Sequence, residues 1–139
     1  MKPSLLLRIA SIVTLVLAVG HTSGGLSFWS PPGETDVLRA MRSFHFDTAG
    51  ASRSYLDFLL GFGFINSVYL FMQAIVLWQL ASMAKSDALR VRPLIGSFLL
   101  ASLVSIVLAW KFIFVIPVVS FALISVFLGL AFVAAGKRA

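Results

Sequence analysis

Residues 58–84 read FLLGFGFINSVYLFMQAIVLWQLASMA, 27 residues without Asp, Glu, Lys or Arg. A helix crosses a hydrocarbon core of about 30 Å with about 20 residues, so this run is long enough to span a membrane alone. It is continuously apolar rather than alternating, which suits a spanning helix and not a strand of a membrane barrel.

Three further segments share this character. Leu5 to about Leu26 carries only Arg8, and Pro93–Trp110 and Phe112–Gly136 carry no charge. The whole chain is 60% hydrophobic and 12% charged, with a mean hydropathy of +1.02 over 139 residues. That is more apolar surface than a soluble domain of this length buries in one core. The expected fold is all-α: an integral membrane four-helix bundle in a single domain, residues 1–139, with spans at about 5–26, 56–84, 93–110 and 112–136. The spans pair as two antiparallel hairpins, the second closed tightly at Trp110, Lys111 and Phe112. The first segment is read as a span and not as a cleaved signal peptide, although Lys2 and Arg8 precede it. With no cysteine in the chain, disulfide and thiol chemistry are excluded.

Basic residues set the expected orientation. Lys2, Arg8, Lys85, Arg90, Arg92, Lys137 and Arg138 fall on one side, and Arg39, Arg42, Arg53 and Lys111 on the other, a split of seven to four. Both termini are expected in the cytoplasm, with the loop of about 27–54 facing the periplasm or cell exterior. The net charge of +6 then reflects membrane anchoring, and nucleic acid is not expected as a partner.

The loop has order of its own. After Pro31, Pro32 and Gly33, the stretch ETDVLRAMRSFHF (34–46) puts Val37, Leu38, Met41 and Phe44 on one face, which predicts a short interfacial helix with Glu34 and Asp36 near its positive end. Ser54 followed by Asp57 fits a capping box opening the second span, with Arg53 as an ion-pair partner for Asp57. Small residues at Ser97, Ala101, Ser105 and Ala109, and at Ser125 and Gly129, predict close-packed seams. The hairpin is the expected use of these seams; a homo-oligomer or a partner membrane protein is the alternative.

Chemistry concentrates on the second span. At 100° per residue, Tyr55, Phe62, Asn66, Tyr69 and Gln73 share a stripe, and the amides need partners away from lipid. Thr14 and His21 share a face of the first span and are candidate partners. His21 is expected near the outer interface with Tyr55 and Asp57. Beside it, Gly24 and Gly25 permit close approach of a neighbouring helix or a ligand, and Trp29 is expected at headgroup level. The candidate site therefore comprises His21 and Asp57 as proton carriers, with Arg53, Tyr55, Asn66, Tyr69 and Gln73 lining a ligand pocket. The bland readings are interhelical hydrogen bonds for the amides, an interfacial histidine for His21 and a helix cap for Asp57.

Other chemistries lack their residues. No histidine lies deep enough for transmembrane haem ligation, and His21, His45 and the carboxylates have no zinc-site spacing, so neither cofactor nor metal is expected. A coupled pump would use an ionisable group well inside the membrane, and no phosphate loop or Ser-His-Asp pattern occurs.

The set His21-Thr22, Gly24-Gly25, Trp29, Pro31-Pro32, Met41, Arg53-Ser54, Asp57, Gly61/Gly63 and Trp78-Gln79 resembles a family of uncharacterised small bacterial integral membrane proteins of about this length. A looser, fold-level likeness is to the DoxX-like four-helix proteins. The resemblance implies a bacterial inner-membrane location and four spans, and it implies no reaction. The functional expectation is a bundle that binds a lipid-like, isoprenoid or quinone-like ligand in a polar pocket near the outer leaflet, with proton transfer if the ligand is also turned over. The alternative is a non-catalytic subunit that binds a partner membrane protein.

Overall fold

A computed structural model describes residues 1–30 and 32–137. Pro31, part of the double-proline motif, and Arg138, one of the basic residues used for orientation, lie outside the described residues. In chain order the elements are α1 (Pro3–Gly25), α2 (Asp36–Ser43), β1 (His45–Thr48), β2 (Ala51–Ser54), α3 (Tyr55–Met83), α4 (Ala88–Phe112) and α5 (Val115–Gly136). The four long helices, α1, α3, α4 and α5, are each long and apolar enough to cross a membrane. They carry large exposed side chains along their length, among them Val16, Ile65, Val107 and Ile116.

Contacts divide the chain into two compact units, Met1–Leu17 with Leu70–Ala139, and Ala18–Tyr69. In the first unit the core is aliphatic, with Leu6, Leu7, Leu77, Val91, Ile95, Ile124 and Leu128 fully buried. Ser11 Oγ donates to Ala74 O at 2.7 Å, tying α1 to α3. Thr14 is buried but donates to Ala10 O of its own helix at 2.8 Å, so it serves no amide of α3. Between α4 and α5, Arg92 Nε donates to Phe132 O at 3.3 Å, Ser102 Oγ to Phe121 O at 3.0 Å, and Ser125 Oγ to Ser102 Oγ at 2.9 Å. Residue numbers thus fall along one helix as they rise along the other.

Three sequence expectations change here. α4 starts at Ala88 rather than Pro93, because Asp87 accepts from Arg90 N at 3.0 Å and caps it; Pro93 sits early in the helix, where only one backbone bond is forfeited. The turn falls at Ile113 and Phe114, just beyond the expected Trp110–Phe112. The face that α4 buries is Val91, Ile95, Ser102 and Ala109, whereas Ser97 and Ala101 of the expected seam are exposed. Ser97 and Ser105 satisfy their hydroxyls within the helix, on Pro93 O and Ala101 O.

In the second unit α2 forms as its pattern predicts. Thr35 accepts from Leu38 N at 3.1 Å as N-cap, Leu38 is buried, and Arg42 reaches back to Glu34 at 3.3 Å. Beyond α2 the chain forms a β-hairpin, where the sequence pattern predicts only loop. β1 and β2 pair antiparallel with Phe46 opposite Arg53, closed by Ala49 and Gly50 at φ 49° and 81°. Two consecutive positive φ values mark the tight turn whose twist matches that of paired strands. β2 runs into α3 without a linker, so the capping geometry at Ser54 fixes the direction in which the hairpin leaves the helix.

Candidate functional site

Local backbone decides the setting of His21. After Gly25 the chain reverses through Phe28 and Trp29, both at positive φ (57° and 47°), with Trp29 N donating to Gly24 O at 2.9 Å. Aromatic residues rarely adopt this conformation, and each costs about 1–3 kcal/mol unless its surroundings demand it. The demand comes from the indole. It folds back over the end of α1 and donates from Nε1 to His21 O at 3.0 Å. Its ring lies 5.2 Å from the His21 ring and 5.4 Å from Phe64. A Cβ at Gly24 would come within 2.9 Å of the indole, one at Gly25 within 2.9 Å of both the indole and Phe64, and one at Gly63 would overlap the indole. The three glycines make the bed in which Trp29 lies. Their close approach is to a residue of the same chain, and Trp29 is half-buried against protein.

His21 is bonded at both ring nitrogens. Asn66 Nδ2 is 3.2 Å from Nε2, and Ser67 Oγ is 3.0 Å from Nδ1. Because the Asn66 amide nitrogen only donates, the pattern assigns Nε2 as acceptor and Nδ1–H as donor to Ser67 Oγ. Ser67 Oγ in turn donates to Gly63 O at 3.3 Å. The relay therefore runs from the Asn66 amide through the imidazole to a helix carbonyl, with each donor meeting an acceptor. The α3 stripe points to Asn66 but not to Ser67, since a serine in a long apolar helix ordinarily bonds its own helix.

Asp57 and Ser54 form a reciprocal capping box. Ser54 N and Oγ both meet Asp57 Oδ2, at 2.7 and 3.0 Å, and Asp57 N donates to Ser54 Oγ at 3.2 Å. The expected Arg53–Asp57 ion pair is absent among the described residues. Arg53 stands on β2 opposite Phe46 and donates from Nη1 to Ser52 O at 2.8 Å.

The hairpin also starts a row of aromatic rings that spacing along α3 cannot reveal. Tyr55 stacks on Phe44 at 5.7 Å and meets Phe46 at 5.1 Å; Phe46 lies 5.5 Å from Phe58, which lies 6.0 Å from Phe62. Beside the last two rings is an open groove of about 260 Å³ lined by Arg53, Asp57, Phe58, Gly61, Phe62 and Ile65. The groove is shallow and its lining is exposed: one guanidinium and one carboxylate accompany Phe58, Phe62 and Ile65, and a Cβ on Gly61 would meet nothing within 4 Å.

The expected residues thus separate. His21 and Asn66 share one network, Arg53 and Asp57 share the groove, and Tyr55 belongs to the aromatic row. Tyr69 is exposed and Gln73 half-buried, with no hydrogen bond to either side chain among the described residues. No three of His, Cys, Asp and Glu come together as metal ligands among those residues. Comparison with protein-family models, curated proteins and solved structures finds no match.

Proposed function

We propose that the chain is a multi-pass protein of the bacterial inner membrane, with both termini cytoplasmic, that binds a lipid-like, isoprenoid or quinone-like molecule in the outward-facing groove on α3. The groove carries this reading. Arg53 offers donors to a phosphate, carboxylate or quinone carbonyl, and Phe58, Phe62 and Ile65 offer apolar walls to a chain that passes over Gly61. The two hairpins of the bundle are part of the proposal, supported by the opposed numbering of the α4–α5 contacts.

Binding rather than turnover is the better-supported role. Both ring nitrogens of His21 are held by neighbouring side chains, and the Asp57 carboxylate is engaged in its helix cap. If proton transfer occurs, Asp57 is the group within reach of the groove.

The test is a thermal-shift titration of the detergent-solubilised protein with a phospholipid, an isoprenoid phosphate and a quinone in turn. One of the three is expected to raise the Tm of the wild type and to raise that of Arg53→Gln far less. Equal shifts in the two proteins would refute the groove as the site.

A non-catalytic subunit that binds a partner membrane protein is the second reading. It is favoured by the exposed face at Ser97 and Ala101 on α4, whose small side chains permit close helix approach. Leucine at both positions would abolish such a complex while leaving the thermal shifts intact.

A further inference from the structure

In the first unit, Arg8 has no carboxylate partner among the described residues. Its guanidinium carbon stands 5.0 Å from the centre of the Trp78 ring. Its Nε is buried with no hydrogen-bond partner among the described residues. An arginine keeps its charge in proteins, so a guanidinium drawn partly out of water without an acceptor is costly. The indole stands against the guanidinium, and with Nε buried the two groups left to meet an acceptor are Nη1 and Nη2.

The position of the pair suggests what accepts. Arg8 lies five residues into α1 and Trp78 five residues before the end of α3, each about 8 Å along the axis from its helix terminus. The Ser11–Ala74 bond sets the same register, which brings the start of α1 beside the end of α3, with Lys2 and Lys85 at that end of the two helices. In a helix that crosses a bilayer, this depth is the boundary between acyl chains and headgroups. Tryptophan concentrates there, and arginine extends its head toward the phosphates.

We infer that Arg8 and Trp78 form a phosphate-binding site in which Nη1 and Nη2 hold two oxygens of one phosphate group, with Trp78 keeping the fork in register. A phosphodiester accepts from a planar fork in this way, whereas a lysine at the same place would act only as a point charge. A phospholipid headgroup and free phosphate present the same chemistry, and the location favours the lipid.

Native mass spectrometry tests the site in two arms. In the first, the protein is released from nanodiscs of phosphatidylcholine and phosphatidylglycerol; in the second, it is held in lipid-free detergent with inorganic phosphate. A phospholipid adduct is expected in the first arm, reduced about tenfold in Arg8→Gln and by less in Arg8→Lys, which keeps the charge but not the fork. An Arg8-dependent adduct of phosphate mass in the second arm alone would support the phosphate site and assign it to the free ion. Adducts equal in wild type, Arg8→Gln and Arg8→Lys would overturn the site. Trp78→Leu guards against a misfolded Arg8→Gln. It leaves the charge in place and is expected to weaken the adduct through loss of the ring against the guanidinium, and full retention in this variant would contradict the role given to the indole.

Discussion

The indole of Trp29 occupies the space that a side chain on Gly63 would need, and at Gly61, two residues earlier on the same helix, an added Cβ would meet nothing within 4 Å. Two glycines that look equivalent in the sequence therefore have opposite reasons for being glycine. Gly63→Ala must displace the indole, its hydrogen bond to His21 O and the turn at Phe28, and is expected to destabilise the protein by about 1–3 kcal/mol. Gly61→Ala relieves a helix of a flexible residue and is expected to stabilise by about 0.5–1 kcal/mol. Thermal unfolding of the two variants in one detergent checks both signs.

Trp29→Phe retains an aromatic ring but removes the donor to His21 O. The lost bond and the smaller ring together should cost about 1–3 kcal/mol, and the two positive-φ residues should then relax. Limited proteolysis between residues 26 and 35 would register that relaxation as faster cleavage than in the wild type.

The His21 relay predicts coupling. His21→Ala leaves the Asn66 amide and the Ser67 hydroxyl without their shared partner, at an expected cost of about 1–3 kcal/mol. A double-mutant cycle with Asn66→Ala should return a coupling energy of about 0.5–2 kcal/mol, because the second substitution removes a bond the first has already broken. Additive effects would mean that the two side chains act independently.

Ser54→Ala removes the hydroxyl that accepts from Asp57 N and donates to Asp57 Oδ2, and leaves the other half of the capping box, the Ser54 N–H bond to Asp57 Oδ2, in place. A loss of about 0.5–2 kcal/mol is expected, as for other N-cap serines. Hydrogen exchange should rise first at the start of α3 and in the β-hairpin joined to it, while the far end of α3 keeps its protection.

How much of this structure is legible in the sequence depends on how local each signal is. The four long apolar helices and the Ser54–Asp57 cap are written in contiguous residues, and the sequence pattern places each helix to within a few positions, apart from the start of α4. The buried face of α4 is not placed, because a helix that is apolar all round carries no amphipathic period, and Ser102 stands among serines and alanines that all look like seam residues. The hairpin escaped because Ala49-Gly50 lacks the Asn-Gly or Asp-Gly signature of its turn. Trp29 escaped for a related reason: its fold-back needs positive φ at two aromatic residues, which no propensity would suggest. Spacing placed Asn66, Tyr69 and Gln73 on one stripe but could not say which of them had a partner, and only Asn66 has one among the described residues.

The central claim is that the groove beside Gly61 holds an amphiphile, and native mass spectrometry of the wild type and Gly61→Leu, each released from nanodiscs, tests it most directly. Leucine would fill the groove without touching another residue through its Cβ, so the fold should survive while the occupant does not. A bound mass that persists in Arg8→Gln is expected on the wild type and should be missing from a normally folded Gly61→Leu. The same adduct at the same occupancy in the wild type and Gly61→Leu would contradict the claim.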